Sequence, residues 1–290
     1  MSETAQRPLI GILLVLLSVT IQPLMDAVAK SLVTHYPALE VVWGRYFFHM
    51  VLRVPLVVAR HGFRALLPDN LRMQLLRSFL VLGASVTFVL ALRSTPMADA
   101  LALAFVGPLV AVTAAALLLK EPVGPRRWSA VAVGLVGVLL IVRPTGEALT
   151  WGTVWAVASG VFYGLFLTST RHVAGSGASP LVTLAFTGLA GAVVLTLVMP
   201  FVWVAPTAAD WGLMAFTGAA AAAGHFLLIV AYQYAPAPVL APFGYAKIVN
   251  MTLMGYLVFG DLPDPWSWAG IAVLIGSGVY ITLREGRVSK

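Results

Sequence analysis

The chain of 290 residues contains no cysteine, which excludes a disulfide framework, a thiolate metal site and a thiol nucleophile. Charge is almost as scarce. Only 10% of residues are charged, where a soluble domain carries about 25%. The 18 cationic and 11 acidic side chains cannot cover a 30.7 kDa globule in water. The chain also lacks a His-Glu-x-x-His run for zinc, a paired-aspartate motif for a metal-bound diphosphate and a Gly-x-Ser-x-Gly nucleophile setting. No cofactor motif remains, and an enzyme is not expected. What is present is hydrocarbon. Sixty per cent of the residues are apolar and the mean hydropathy is +0.94, so the outer surface must face lipid.

Breaking the sequence at charges, prolines and polar clusters predicts ten spans: 9–29, 38–59, 73–92, 98–119, 128–142, 152–170, 180–200, 211–231, 238–259 and 267–283. Most have the ~20 residues that a helix needs to cross ~30 Å of hydrocarbon. The fifth and tenth are short and need thinning, snorkelling or interfacial continuation. A barrel would alternate polarity over segments of about ten residues, and the run Ala111 to Leu119 does not alternate. The fold class expected is therefore an all-α integral membrane protein of ten helices. The first span reads as an uncleaved anchor and not as a removed signal peptide.

The net charge of +7 and the basic pI of about 10.0 follow from topology. Alternate hydrophilic stretches, beginning with the amino terminus and ending with the carboxyl tail, hold eleven Lys and Arg, and the opposite set holds three. The first set is expected in the cytoplasm, with both termini. Nucleic acid is not needed to explain the charge. The expected partners are the lipid bilayer and a small-molecule substrate.

A repeat underlies the ten spans. At an offset of 140, Glu121 falls on Asp261, Pro125 on Pro265 and Trp128 on Trp268; at an offset of 141, Gly11 falls on Gly152, Ser18 on Ser159 and Lys30 on Arg171. An odd number of spans per repeat makes the two halves, 1–146 and 147–290, enter the membrane in opposite directions. That is the plan of many secondary transporters.

Ionisable residues deep in a span are costly, about 2.5–3.5 kcal/mol on insertion scales, and are functional candidates by default. Arg45, His49, Arg77, His225 and Lys247 qualify in depth. Lys247 has no acidic residue in any span of its own half, so Asp26, a substrate carboxylate or deprotonation by desolvation must answer its charge. Its helix face carries Phe243, Asn250 and several soft apolar residues, a setting for a small organic anion or zwitterion. Asp26 is spaced for an ion pair with Lys30 on one helix face. Pro23, one turn earlier, allows a bend that lines a pathway, and there Asp26 is the candidate for proton coupling. Arg45, His49 and Arg53 make a basic stripe for which fixed structural partners are expected. His225 stands beside an alanine run, and Tyr163 is too deep for an interfacial anchor. Mid-span prolines, Pro108 near Phe105 in the fourth span and Pro242 beside Phe243 and near Tyr245 in the ninth, mark broken helices only where neighbours or a cavity re-satisfy the backbone. Small residues spaced by four, Ala130 with Gly134 and Ala272 with Gly276, fit helix packing or a dimer contact, so a monomer or weak homodimer is expected.

The stretches VVWGRYFF (Val41 to Phe48), ALRSTPMADALALAFVGPLVAVTAAALLLKE (Ala91 to Glu121) and APFGYAKIVNMTLMGYLVFGD (Ala241 to Asp261) resemble the EamA-type group of the drug/metabolite transporter superfamily. The resemblance covers nearly the whole chain. It implies two inverted five-helix halves and a central cavity lined by the first, third, fourth, sixth, eighth and ninth helices. Asp26, Phe105, Tyr163, His225, Phe243, Lys247 and Asn250 lie on those helices. The second helix is implied to lie outside the cavity, leaving Arg45, like Pro23, Pro108, Glu121 and Asp261, a structural role. Export of amino acids, aromatic ones first, from a bacterial inner membrane is the activity expected by resemblance, with uptake of riboflavin or S-adenosylmethionine as the alternative. Lys247 and Ile248 stand where the first half has Gly107 and Pro108, so the two halves are not expected to gate alike.

Overall fold

The computed structural model describes residues 7–288 apart from 67, 69, 119, 121–123, 144–149, 175–179 and 236. Glu121 therefore lies outside the described residues. All regular structure among those described is helical: α1 (Pro8–Leu32), α2 (Ala38–His61), α3 (Leu71–Leu92), α4 (Met97–Ala104), α5 (Val106–Leu118) and α6 (Pro125–Val142) in the first half. The second half holds α7 (Trp151–Ala174), α8 (Pro180–Val202), α9 (Ala208–Tyr234), α10 (Ala237–Gly244), α11 (Ala246–Met254) and α12 (Pro265–Val288). A 3₁₀ turn follows α2 at Phe63–Leu66, and a π turn, Gly255–Phe259, extends α11. Helices α4 and α5 together cross once, as do α10, α11 and the π turn, so the spans number ten. The tenth runs further than the hydropathy alone indicates, by helical continuation into the tail.

Lipid-facing surface is written into the periodicity of each helix. On α1, Leu9, Leu13 and Leu17 recur every four residues and are exposed, while Gly11, Val15, Ser18 and Val19 are buried. Such a stripe is stable only against hydrocarbon.

The two halves repeat each other in their contacts. Helix α1 packs on α9 and α7 packs on α3, while α6 packs on α12. Ser18 Oγ donates to the Gly224 carbonyl at 2.8 Å across α1 and α9, and Ser159 Oγ donates to the Ala84 carbonyl at 2.9 Å across α7 and α3. Those serines are the pair aligned by the sequence repeat. Lys120 (φ 54) and Gly260 (φ 72) occupy equivalent positions after the fourth and ninth spans, and both backbones are left-handed. Glycine makes that conformation cheap at the second position.

The broken helices match in place and differ in cause. Pro108 lacks the N–H that would bond the Ala104 carbonyl, and its ring crowds that oxygen, so the helix reforms after Phe105. The freed carbonyl lies against Gly160 of α7, where a Cβ would sit 2.7 Å from it. At Tyr245, 140 residues on, the break recurs without a proline at the matching site. The rings of Phe105 and Tyr245 stack at 5.5 Å with their planes 23° apart, joining the two breaks at the centre of the molecule. Gly134 packs on Leu109 and Ser277, and Gly137 packs on the Gly270 carbonyl. Small residues of α6 and α12 thus serve the crossing of these helices within one chain, and not a dimer contact at Gly134.

Candidate functional site

A cavity of about 610 Å³ lies between the halves, within the ~300–1,000 Å³ of small-molecule sites. Its charged residues come from four helices: Asp26 on α1, Arg45 on α2, Arg77 on α3 and Lys247 on α11. The rings of Tyr46, Phe88, Phe105, Tyr163 and Phe166 supply most of its aromatic surface. His49 and His225 face each other with ring centroids 6.3 Å apart.

Lys247 and Asp26 meet, as one of the sequence-based alternatives requires, but loosely. Lys247 Nζ stands 3.9 Å from Asp26 Oδ2 and donates at 3.1 Å to Gln22 Oε1, one turn before the aspartate. Arg45 Nη2 stands 3.8 Å from Asp26 Oδ1. One buried carboxylate is therefore shared by two cations, at distances beyond a good hydrogen bond. Arg77 is tied more firmly. Its guanidinium donates to Thr187 Oγ1 at 2.5 Å, to the Thr183 carbonyl at 2.9 Å, to Gln74 Oε1 at 3.3 Å and to Thr170 Oγ1 at 3.4 Å. It also lies over the Phe166 ring.

The cavity reaches toward the ends of α7 and α8 at Thr170 and Thr183. Toward the other end of α1, ion pairs tie the elements together and form a candidate seal. One turn beyond Asp26, Lys30 Nζ donates at 2.5 Å to Asp261 Oδ2 and at 3.3 Å to the Thr95 carbonyl, and it lies over the Phe259 ring. Arg143 pairs with Asp264 nearby. Burial pushes the Asp264 carboxyl up, but the Ser267 N–H, the Arg143 guanidinium and the Trp266 N–H outweigh burial and hold it below the ordinary carboxylate value.

Several expectations need correction. Asp26 pairs with Arg45 and Lys247, not with Lys30, because Lys30 projects to the seal and Asp26 into the cavity. The second helix does line the cavity, through Arg45, Tyr46 and His49, so Arg45 is not confined to a structural role outside it. Among the described residues, Arg53 is the member of the basic stripe with a carbonyl partner, Ala222 at 2.6 Å. Asn250 and Phe243 do not line the cavity. Asn250 Nδ2 donates to the Val19 carbonyl and to Thr20 Oγ1, each at 3.1 Å, while Phe243 packs on the cluster of Val15, Val19 and Leu240. Phe243 precedes the break at Tyr245 that separates α10 from α11, whereas Asn250 shares α11 with Lys247 and meets α1 one turn further along it. Phe105, Pro108, Tyr163, His225, Lys247 and Asp26 do line the cavity, and Pro23 is buried in α1 without reaching it. His225 Nδ1 lies 2.7 Å from the Ala221 carbonyl of its own helix. Asp261 holds the seal, in keeping with a structural role. Gln22, Tyr46 and Phe166 were not legible as site residues, since neither charge nor a breaker marks them.

A mainly apolar cavity that carries four charged side chains and is lined from both repeats fits a multi-pass membrane protein of the carrier type. A family model described as "EamA-like transporter family" matches residues 9–143 and again 150–284. The chain belongs to the EamA-like transporter family. It is 26% identical to a riboflavin transporter of Rhizobium johnstonii over 97% of this chain and 93% of the relative. It is 23% identical to an S-adenosylmethionine uptake transporter of Rickettsia prowazekii, over 98% and 96%. A pseudopaline exporter of Pseudomonas aeruginosa is 26% identical, over 91% and 93%. A solved crystal structure superposes with a TM-score of 0.64 at 21% identity, covering 97% of this chain and 98% of the other, which establishes a shared fold.

Proposed function

We propose that this transporter carries a small carboxylate-bearing metabolite with an aromatic ring, and that export of aromatic amino acids is the activity to test first. The observation that carries the reading is the composition of the cavity: three formal cations, Arg45, Arg77 and Lys247, against one carboxylate, Asp26, beside five aromatic rings. Such a site attracts an anionic or zwitterionic head and stacks a flat apolar body. The halves 1–146 and 147–290 are the moving units, and the ion-pair seal at Lys30 and Asp261 alternates with a closure at the opposite face. The Lys and Arg excess assigns both termini to the cytoplasm of a bacterial inner membrane. The carrier works as a monomer or weak homodimer, without a cofactor and without covalent chemistry. Asp26 is its proton-coupling group.

Counterflow in liposomes tests the reading. Labelled L-phenylalanine is expected to accumulate against excess unlabelled substrate at a saturable rate, and no accumulation across the aromatic amino acids removes it. Identical pH dependence of transport in the parent and in Asp26→Asn would remove the proton role. A second reading, uptake of riboflavin, is supported by the Rhizobium relative and by a cavity of about 610 Å³, which has room for a fused ring system. The same counterflow assay with labelled riboflavin separates the two. The cationic surplus opposes S-adenosylmethionine, whose sulfonium adds positive charge.

A further inference from the structure

The least satisfied group in the cavity is Arg45. Its residue is 8% exposed, yet neither Nε nor Nη2 has a hydrogen-bond partner. Buried donors are almost always paired, and a guanidinium left unpaired in a low-dielectric site is costly. The two vacant groups are adjacent. Nε–H and one N–H of Nη2 point the same way along one edge of the planar guanidinium, which is an edge that takes a carboxylate through two parallel bonds. The nearest anion, Asp26 Oδ1, stops 3.8 Å short and is shared with Lys247 at 3.9 Å.

Charge points the same way. Asp26, Arg45 and Lys247 together carry a formal charge of +1, so a monoanion would neutralise the cluster. His49, one turn along α2, also lines the cavity and has its Nε2 buried without a partner. Its ring lies close against Gly188, where a Cβ would stand 2.7 Å from Nδ1. Arg53, eight residues on, is spent on the Ala222 carbonyl, and Arg77 is bonded to three side chains and a carbonyl. Arg45 is therefore the cavity arginine whose bidentate edge is unbonded; both edge atoms are covered in this state, so docking requires the side chain to turn toward the cavity that it lines.

We infer that the Nε–Nη2 edge of Arg45 is the docking point for the substrate carboxylate, with Asp26 as the resident counter-ion that the substrate joins and His49 Nε2 as an adjacent polar contact. This rests on the carboxylate reading proposed above and assigns that carboxylate to one side chain. Lys247 then contributes charge and orientation from the opposite side of Asp26. The ring of the substrate lies along Tyr46 and Tyr163, which line the same cavity.

The test uses 3-phenylpropanoate and its neutral isostere 3-phenylpropanamide as probes, read as thermal-shift binding curves on the purified full chain in detergent. The parent is expected to bind the acid at least tenfold tighter than the amide. Arg45→Gln should abolish that preference by weakening only the acid. Arg45→Lys, which keeps the charge and loses the edge, should not restore it. Asp26→Asn, which leaves Arg45 intact, should tighten the acid several-fold. An acid preference that survives in Arg45→Gln, or is lost only in Lys247→Gln, overturns the dock, and so does an Asp26→Asn variant in which the acid binds more weakly. A parent without acid preference overturns it without any variant. Counterflow of L-phenylalanine is scored separately: its absence alongside a normal Arg45-dependent acid preference sinks the amino-acid reading and leaves the dock standing.

Discussion

Two sets of ion pairs sit one helical turn apart in this protein and behave differently. At the seal, Lys30 closes on Asp261 at 2.5 Å and Arg143 closes on Asp264, with further support from the Thr95 carbonyl. In the cavity, Asp26 faces Arg45 and Lys247 at 3.8 and 3.9 Å and completes a hydrogen bond with neither. The residue types are the same, so the difference lies in what surrounds them. The seal pairs join segments that must hold each other. The cavity group is held apart by its helices and leaves donors unanswered. Closed pairs report structure, and pairs that stop short in a buried site leave donors whose cost is unanswered. The same contrast appears within α2, where Arg53 is spent on a carbonyl and Arg45, two turns away, is not.

That comparison breaks most readily at its open side. Lys247→Met is expected to cut counterflow of a carboxylate substrate by about tenfold or more, since buried ionisable groups in transporters mark the substrate path. Retained helicity by circular dichroism with unchanged transport would show instead that the amine only ties helices together. On the closed side, Arg53→Gln should lower stability by about 1–3 kcal/mol, through loss of the charge-assisted hydrogen bond to the part-buried Ala222 carbonyl, while the substrate concentration for half-maximal transport stays put. A melting temperature that does not move, together with impaired substrate binding, would assign Arg53 to the open set.

The seal is expected to matter less. Lys30 and Asp261 are partly exposed, with side chains at 14% and 32%, so Asp261→Asn should be worth about 1 kcal/mol. That shifts the balance between the two access states by roughly fivefold, read as altered labelling of a cysteine introduced at the seal. The swapped pair Lys30→Asp with Asp261→Lys should restore it, and failure of the swap would argue against a simple electrostatic latch. The smallest effect belongs to Asp264. Its carboxyl is held below the ordinary value, so its contribution is complete above the unfolded carboxylate pKa of about 4 and is lost as pH falls through the lower folded value. At 39% exposure, solvent screening limits this to about 0.5 kcal/mol or less. Acid melting curves of the parent and Asp264→Asn should converge below pH ~4, and divergence there would reverse the sign.

Much of this organisation was legible residue by residue. Ser18 and Ser159, aligned by the repeat, make equivalent hydrogen bonds. Lys247 and Asp26 were candidates because charge in hydrocarbon demands an answer. Asn250 misled because sharing the face of Lys247 does not place it in the cavity: α1 takes it up through Val19 and Thr20. Arg45 misled in the opposite sense: a basic stripe looks uniform in sequence, and only the surroundings of each guanidinium divide it.

The ten spans, their alternating polarity of loops and the position of the first break were decided by composition and by Pro108, because hydropathy and a missing N–H act locally. The second break has no proline at the site matching Pro108, and the position of its Tyr245 ring against Phe105 was decided by packing. So too were the partners of Lys30 and Asp26. They lie four residues apart on one helix and could have paired with each other, but Lys30 meets Asp261 across 231 residues of chain. Which charges close and which remain open depends on distances between helices, and those are properties of the assembled bundle.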